Sequence, residues 1–317
     1  MINRSKLPKV AIIGAGNVGS TLAYVLTIKG TVSEIVLIDL DKKKAEGEVM
    51  DLNHGLSFVS PATISSGTYS DCSNADIIVL TAGAAQRSGQ SRLDLVSKNF
   101  QIFREIIPNI IKANHKGILL VATNPVDVMT YVTLKLSEFS TSQVIGSGTI
   151  LDTSRLRYLL AEHLSVDPRN VHAYVIGEHG DSELPVWSLA NIAGVRLKDY
   201  CPACGKEYNL SHLNEIFENV KNAAYEIIDR KGATYYAIGL GLARIIESIV
   251  KDENSILTIS SYIQEYYGVR DLCISIPTII NGNGIRERLK FPLDEEEIAQ
   301  FKKSSSVIKD TIESLNI

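Results

Sequence analysis

Lys9-Val10-Ala11-Ile12-Ile13-Gly14-Ala15-Gly16-Asn17-Val18-Gly19 decides the fold of this chain. The apolar run from Lys9 to Ile13 reads as a buried strand, and three glycines spaced G-x-G-x-x-G follow it directly. A helical run continues to about Lys29, a second strand covers Glu34 to Ile38, and Asp39 closes it about twenty residues past the last glycine. Strand, glycine turn, helix, strand and terminal acid form a dinucleotide-binding unit of Rossmann type. In this reading Gly14 makes the turn, Gly16 lets the backbone approach a pyrophosphate, and Gly19 lets helix and strand pack closely. The phosphates meet Asn17 and Val18 at the positive end of the helix. Asp39 would accept hydrogen bonds from ribose hydroxyls and repel a 2′-phosphate, which favours NAD over NADP.

Two further apolar runs, Ala75 to Leu80 and Gly117 to Ala122, read as parallel strands of the same sheet. Each ends in a turn, Thr81-Ala82-Gly83-Ala84 and Thr123-Asn124-Pro125. Ligands of an open parallel sheet bind beyond the carboxyl ends of its strands, so Gly83 and Ala84 should face the cofactor. Asn124 is a candidate to touch nicotinamide or substrate; a plain turn before Pro125 explains it as well. His54, where Asp51 to Gly55 closes a helix, reads as structural. The polar segment Gln86 to Arg92 precedes a helix from about Leu93 and has the composition of a mobile lid. An arginine at a helix start gains nothing from the dipole, so Arg92 makes more sense if an anion or polarised carbonyl meets it.

The second half opens at Gly148 and carries an amphipathic helix with Leu151, Leu156, Leu159, Leu160 and Leu164 on its apolar face. Asp152 and Arg155, three apart, share a side of it, whereas Arg155 and Arg157, two apart, do not. A strand-like run from Val171 to Ile176 leads into Gly177-Glu178-His179-Gly180-Asp181-Ser182, with glycine on both sides of the histidine. Alone, this reads rather as a tight turn with a hydrogen-bonded imidazole; the fingerprint and the Gly148 to Arg155 segment overturn that in favour of a ligand-facing one. Phe217 to Val250 is helical with a break at Lys231-Gly232-Ala233-Thr234. Strand-like runs at Ser255 to Gln264, Asp271 to Thr278 and Gly284 to Glu287 suit antiparallel pairing, and a helix from Asp294 ends the chain. The expected fold is α/β: a Rossmann-type doubly wound parallel sheet over 1–147, followed over 148–317 by an α+β catalytic domain with antiparallel strands.

A chain of 317 residues, 45% hydrophobic, can bury a core of this size. Its net charge of -4 suggests no nucleic-acid or membrane-surface partner, so an anionic substrate needs local arginines. Glycines interrupt the apolar run after the basic start at motif spacing, which argues against a signal peptide, and no window is a membrane span. Four cysteines without a paired framework suit a reducing compartment, the cytoplasm. Cys201-Pro202-Ala203-Cys204 supplies half a zinc site at most and reads as a surface loop; no metal is expected.

These motifs in this order resemble the lactate/malate dehydrogenase superfamily, on the side of the bacterial L-lactate dehydrogenases. The resemblance runs from about Lys9 to the last helix and includes Thr81 to Gly83, Gln86 to Asn99, Ile150 to Arg155, Gly177 to Asp181 and Lys231 to Tyr235. It implies that His179 is the proton donor and acceptor, with Asp152 as its carboxylate partner. It further implies that Arg155 grips the substrate carboxylate, Arg92 polarises the ketone as the lid closes, Asn124 bonds the same oxygen, and Thr234 lines the pocket. Gln86 falls where malate-specific members carry arginine. A second substrate carboxylate left unpaired there would cost roughly 3–5 kcal/mol, so the resemblance implies pyruvate and lactate. It also implies a homotetramer at the fermentative end of glycolysis, with fructose 1,6-bisphosphate as effector on Arg157 and His172. Ser88 and Gln90 depart from the family's common proline and glutamate in the lid, and the chain has a short segment before its first strand. A non-enzymatic relative would be expected to lack at least one of Asp152, Arg155 and His179, and all are present.

Overall fold

The computed structural model describes residues 8–84 and 92–315, the side chains at 92 and 93 excepted. The first half alternates strand and helix: β1 Lys9–Ile13, α1 Asn17–Lys29, β2 Glu34–Ile38, α2 Lys42–His54, β3 Thr63–Ser66, β4 Ile77–Leu80, α3 Arg92–Ala113, β5 Ile118–Val121, α4 Val126–Ser137 and β6 Val144–Gly146. The strands lie in the order β3-β2-β1-β4-β5-β6, all parallel. Ile77–Leu80 and Ile118–Val121 are buried throughout, as strands covered on both faces must be. The strand order reverses between β1 and β4, which opens a crevice at their carboxyl ends.

The second half contains α5 Ile150–Leu164, β7 Val171–His172, β8 Val175–Ile176, β9 Leu184–Pro185, β10 Asn191–Ile192, β11 Val195–Arg196, α6 Leu197–Ala203, α7 Leu210–Lys231, α8 Tyr236–Val250, β12 Ser255–Ile263, β13 Leu272–Asn281, β14 Gly284–Arg288 and α9 Glu295–Ser314. The antiparallel ribbon β12-β13-β14 does not form a sheet of its own. Ser260 of β12 pairs with Gly146 of β6, which extends the parallel sheet to nine strands. One core layer joins Leu22 and Leu26 of α1 to Leu242, Ile245 and Ile249 of α8; the other joins α3 and α4 to β13 and Phe301 of α9.

Two local expectations are corrected. The run Val171 to Ile176 is two short strands in different sheets, β7 against β10 and β8 against β9. Arg157 of α5 and Thr149, just before that helix, take the backbone between and beside them: Arg157 Nε donates to the Ala173 carbonyl, and Thr149 Oγ1 donates to that of Val175. Cys201 is in helix α6 rather than a loop, with its side chain buried; Cys204 follows the helix and is exposed.

Candidate active site

The glycine turn after β1 is built as its residue types require. Gly14 has φ of 109°, and a Cβ there would stand 2.7 Å from the Ala82 nitrogen. A Cβ on Gly19 would collide with the Gly14 carbonyl, so the start of α1 can sit this close to β1 only without one. Gly16 differs: it caps α1 without a side-chain hydrogen bond, and a Cβ there would meet nothing within 4 Å. That open space lies at a helix N-terminus with no acid in its first turn, where phosphate oxygens find bare N–H groups and positive potential. A cavity of about 300 Å³ spans Gly14, Gly16, Asp39 and Thr81 to Gly83. The residues present thus fit a dinucleotide, with Asn17 and Val18 opening the helix that would receive its phosphates. Asp39 has a second task that sequence reasoning did not foresee: its Oδ2 accepts the Ala15 N–H at 2.7 Å and its Oδ1 that of Asp41 at 2.9 Å. The carboxylate therefore ties the end of β2 to the glycine turn.

At the neighbouring turns, Thr123 Oγ1 donates to the Ala82 carbonyl at 2.7 Å. Asn99 of α3 bridges them, accepting the Ala84 N–H at 2.8 Å and donating to the Asn124 carbonyl at 2.7 Å. Gly83 is pressed on Thr123, whose methyl a Cβ would approach to 2.5 Å. The Asn124–Pro125 peptide is cis.

A second cavity, about 360 Å³, is lined by Asn124, Asp152, Arg155 and His179 with Leu95 and Ile228. Three elements hold the histidine. Gly177, with φ of 96°, exchanges backbone hydrogen bonds with Ser275 of β13 at 2.9 and 3.1 Å; Gly180, on the other side, has no such left-handed φ. Asp127, buried in the first turn of α4, accepts the His179 N–H at 2.7 Å and the Ser275 hydroxyl at 3.2 Å. Asp152 of α5, 2% exposed, takes the ring itself, with 2.6 Å between His179 Nδ1 and its Oδ2. Its other oxygen accepts from Arg155 Nη1 at 2.8 Å. Asp152 and Arg155 meet because they are one turn apart on the same side of α5.

The electrostatics follow from this packing. Burial opposes the His179 imidazolium, but the charge and hydrogen bond of Asp152, with Glu183 and Asp127 nearby, push it up to about 9. Burial likewise opposes the Asp152 carboxylate, which His179 and Arg155 nevertheless hold below its ordinary value. With Nδ1 bound to Asp152, Nε2 is the ring nitrogen left for a ligand. A histidine holding a proton at neutral pH beside an arginine can bind an anion and protonate it.

Of the remaining expectations, Gln86 lies outside the described residues, and Arg92 is described only as the first backbone position of α3. Thr234 sits half-buried between α7 and α8 and is not part of the cavity wall. Arg157 points away from Arg155, as its spacing required, and lies over the Tyr174 ring at 5.2 Å. His172 is exposed on β7. Asn99, Asp127 and Glu183 were missed. An acid inside the apolar run Val126-Asp127-Val128-Met129 was the available signal for Asp127.

Comparison with known proteins agrees with this geometry. The family model for the lactate/malate dehydrogenase NAD-binding domain matches residues 8–146, and that for the lactate/malate dehydrogenase alpha/beta C-terminal domain matches 149–316. The chain is 56% identical to the L-lactate dehydrogenase of Acetivibrio thermocellus over 317 residues, all of both chains. It superposes with TM-score 0.95 on a lactate dehydrogenase from a Medee basin deep-sea metagenome library, at 43% identity over 98% of this chain and 100% of the other. The minor L-lactate dehydrogenase of Enterococcus mundtii gives TM-score 0.94 and 41% identity over 98% of each.

Proposed function

The chain belongs to the lactate/malate dehydrogenase family and uses NAD, and from that premise we propose that it is an L-lactate dehydrogenase interconverting pyruvate and (S)-lactate. The observation that carries this reading is the buried Asp152 carboxylate shared between His179 and Arg155. Bound NADH supplies the hydride for the substrate carbonyl carbon. His179 gives its Nε2 proton to the carbonyl oxygen and takes it back in the reverse direction. Asp152 fixes the ring's tautomer and favours its charged form. Arg155 pairs with the substrate carboxylate through the forked geometry that lysine lacks. Arg92 and Asn124 stabilise the carbonyl oxygen, and Gln86 excludes a second carboxylate.

Gly14, Gly16, Asn17, Val18, Gly19, Asp39, Gly83, Ala84 and Asn124 are the cofactor's contacts in this reading. The domain division falls between 147 and 148. Arg157 and His172 form a fructose 1,6-bisphosphate site in a homotetramer; the cation on Tyr174 and the exposed imidazole on β7 supply suitable chemistry. A place in the cytoplasm at the end of fermentative glycolysis accords with four free cysteines, and no helix of the described residues is long and apolar enough to cross a membrane.

His179→Gln tests the assignment. It should keep NADH affinity and lose about 10²–10⁴-fold in kcat with pyruvate, the range for a positioned general acid. A variant that keeps its turnover would refute the proton-donor role.

A further inference from the structure

Glu183, four residues beyond His179, has no part in the reaction as proposed. It is 6% exposed, and its carboxyl oxygen lies with those of Asp152 and the ring nitrogen of His179 within a mutual 4.8 Å. Glu183 Oε1 is buried without a hydrogen-bond partner among the described residues, and its carboxyl stands beside that of Asp152. The side chain belongs to two walls at once, that of the 360 Å³ cavity and that of a second, about 430 Å³, reaching towards α9.

Two carboxyl groups this close and this buried cannot both be ionised near neutral pH. Asp152 receives the imidazole and the guanidinium directly, so the charge resides there and the proton on Glu183. The other charged groups facing the pair do not reverse this order. Arg155 of α5 is already on Asp152; Lys221 of α7 shares both cavity walls with Glu183. Lys221 is paired with Glu218 at 2.6 Å, and Asp127 of α4 and Glu297 across the second cavity add negative charge that favours a neutral Glu183.

We propose that Glu183 is a positioning residue of the hydride-transfer reaction, a neutral carboxylic acid that donates a hydrogen bond to Asp152. The inference rests on reading His179 as the acid and base. Asp152 is then held by three groups rather than two, and its rotamer, and with it the His179 ring, is fixed from behind. A neutral donor does this without adding a second negative charge that would oppose proton release from the imidazolium. Burial first, and the Asp152 charge second, push the Glu183 carboxyl up to about 9, consistent with a proton held through the working range.

Infrared pH-difference spectra of the full chain with NADH, wild type against Glu183→Gln, read the protonated carboxyl without depending on turnover. The wild type should show its stretch at pH 7, lose it near pH 9, and the variant should lack it. In kinetics, Glu183→Leu should lower kcat with pyruvate by about tenfold while KM stays within about threefold, because Glu183 bonds to Asp152 and not to substrate. Glu183→Gln, which keeps a donor, should recover most of that activity. A wild type without the stretch at pH 7, or Glu183→Leu with unaltered kcat and pH profile, overturns the assignment. Failure of the wild type to turn over pyruvate would strike the proposed function instead, and the infrared result is independent of it.

Discussion

His179 Nδ1 and Asp152 Oδ2 are 2.6 Å apart, and the aspartate's other oxygen is bonded to Arg155. One buried carboxylate therefore orients both the imidazole and the cation that would meet an anionic substrate. A displacement of Asp152 disturbs both groups together, so their effects on turnover will not be additive.

The first expected consequence is in the pH profile. His179 is held up to about 9, above its ordinary value near 6.5, so the imidazolium persists through neutral pH. Stability from the His179–Asp152 pair is fully present below the unfolded value and is lost as pH rises through about 9. Pyruvate reduction, which needs the protonated ring, should fall over the same window, and lactate oxidation should rise. Asp152→Asn removes the charge that opposes burial and should move both limbs to lower pH. The measurement is kcat/KM from pH 6 to pH 10 in each direction; limbs unmoved in the variant would contradict the pairing.

Arg155→Lys keeps the charge and gives up the fork. A bidentate grip on a carboxylate worth about 2–3 kcal/mol corresponds to roughly a 30- to 150-fold fall in kcat/KM for pyruvate when it is removed. NADH affinity, measured by fluorescence, should change little. A fall shared equally by NADH binding would mean that the arginine acts on the fold and not on the substrate.

Gly14→Ala and Gly16→Ala should part company. At position 14 a Cβ meets the Ala82 backbone and the φ of 109° is strained, so the chain should lose about 1–3 kcal/mol of stability. At position 16 a Cβ meets open space, so Tm should hold while NADH affinity drops by tenfold or more, about 1.4 kcal/mol. Equal Tm losses at the two positions would show that the space above Gly16 is not reserved for a ligand.

His172→Gln changes an exposed side chain and tests the effector site. The ratio of pyruvate KM without and with fructose 1,6-bisphosphate should fall towards one in the variant. A ratio equal to that of the wild type would remove His172 from the site.

Much of this was legible in the chain because its signals are local. β1, the glycine turn, α1 and β2 lie within a few dozen consecutive residues, and the chemistry of Gly14 and Asp39 fixes their meaning. The Asp152–Arg155 contact was legible for the same reason, since helix spacing alone brings them together. What was not legible depends on distant partners. The edge strand β3, Thr63–Ser66, is polar and short and exists through its pairing with β2. The run Val171–Ile176 has one strand's composition but two strands' structure, because Arg157 of α5 and Thr149 before it claim its carbonyls. The union of both halves in one sheet hangs on a bridge between Gly146 and Ser260, more than a hundred positions apart. Glu183 followed the motif closely in sequence, yet its burial beside Asp152 becomes visible only once α5 and the His179 loop meet.

Choice of substrate is the property on which the proposed function stands or falls, and NADH oxidation by the full chain with pyruvate and with oxaloacetate decides it. Pyruvate should be preferred by more than about a hundredfold in kcat/KM, the cost of leaving a second carboxylate unpaired beside Gln86. Oxaloacetate preferred over pyruvate would contradict the proposal and would transfer the specificity to the adjacent Arg87, which a shift of one position would bring to the place of Gln86.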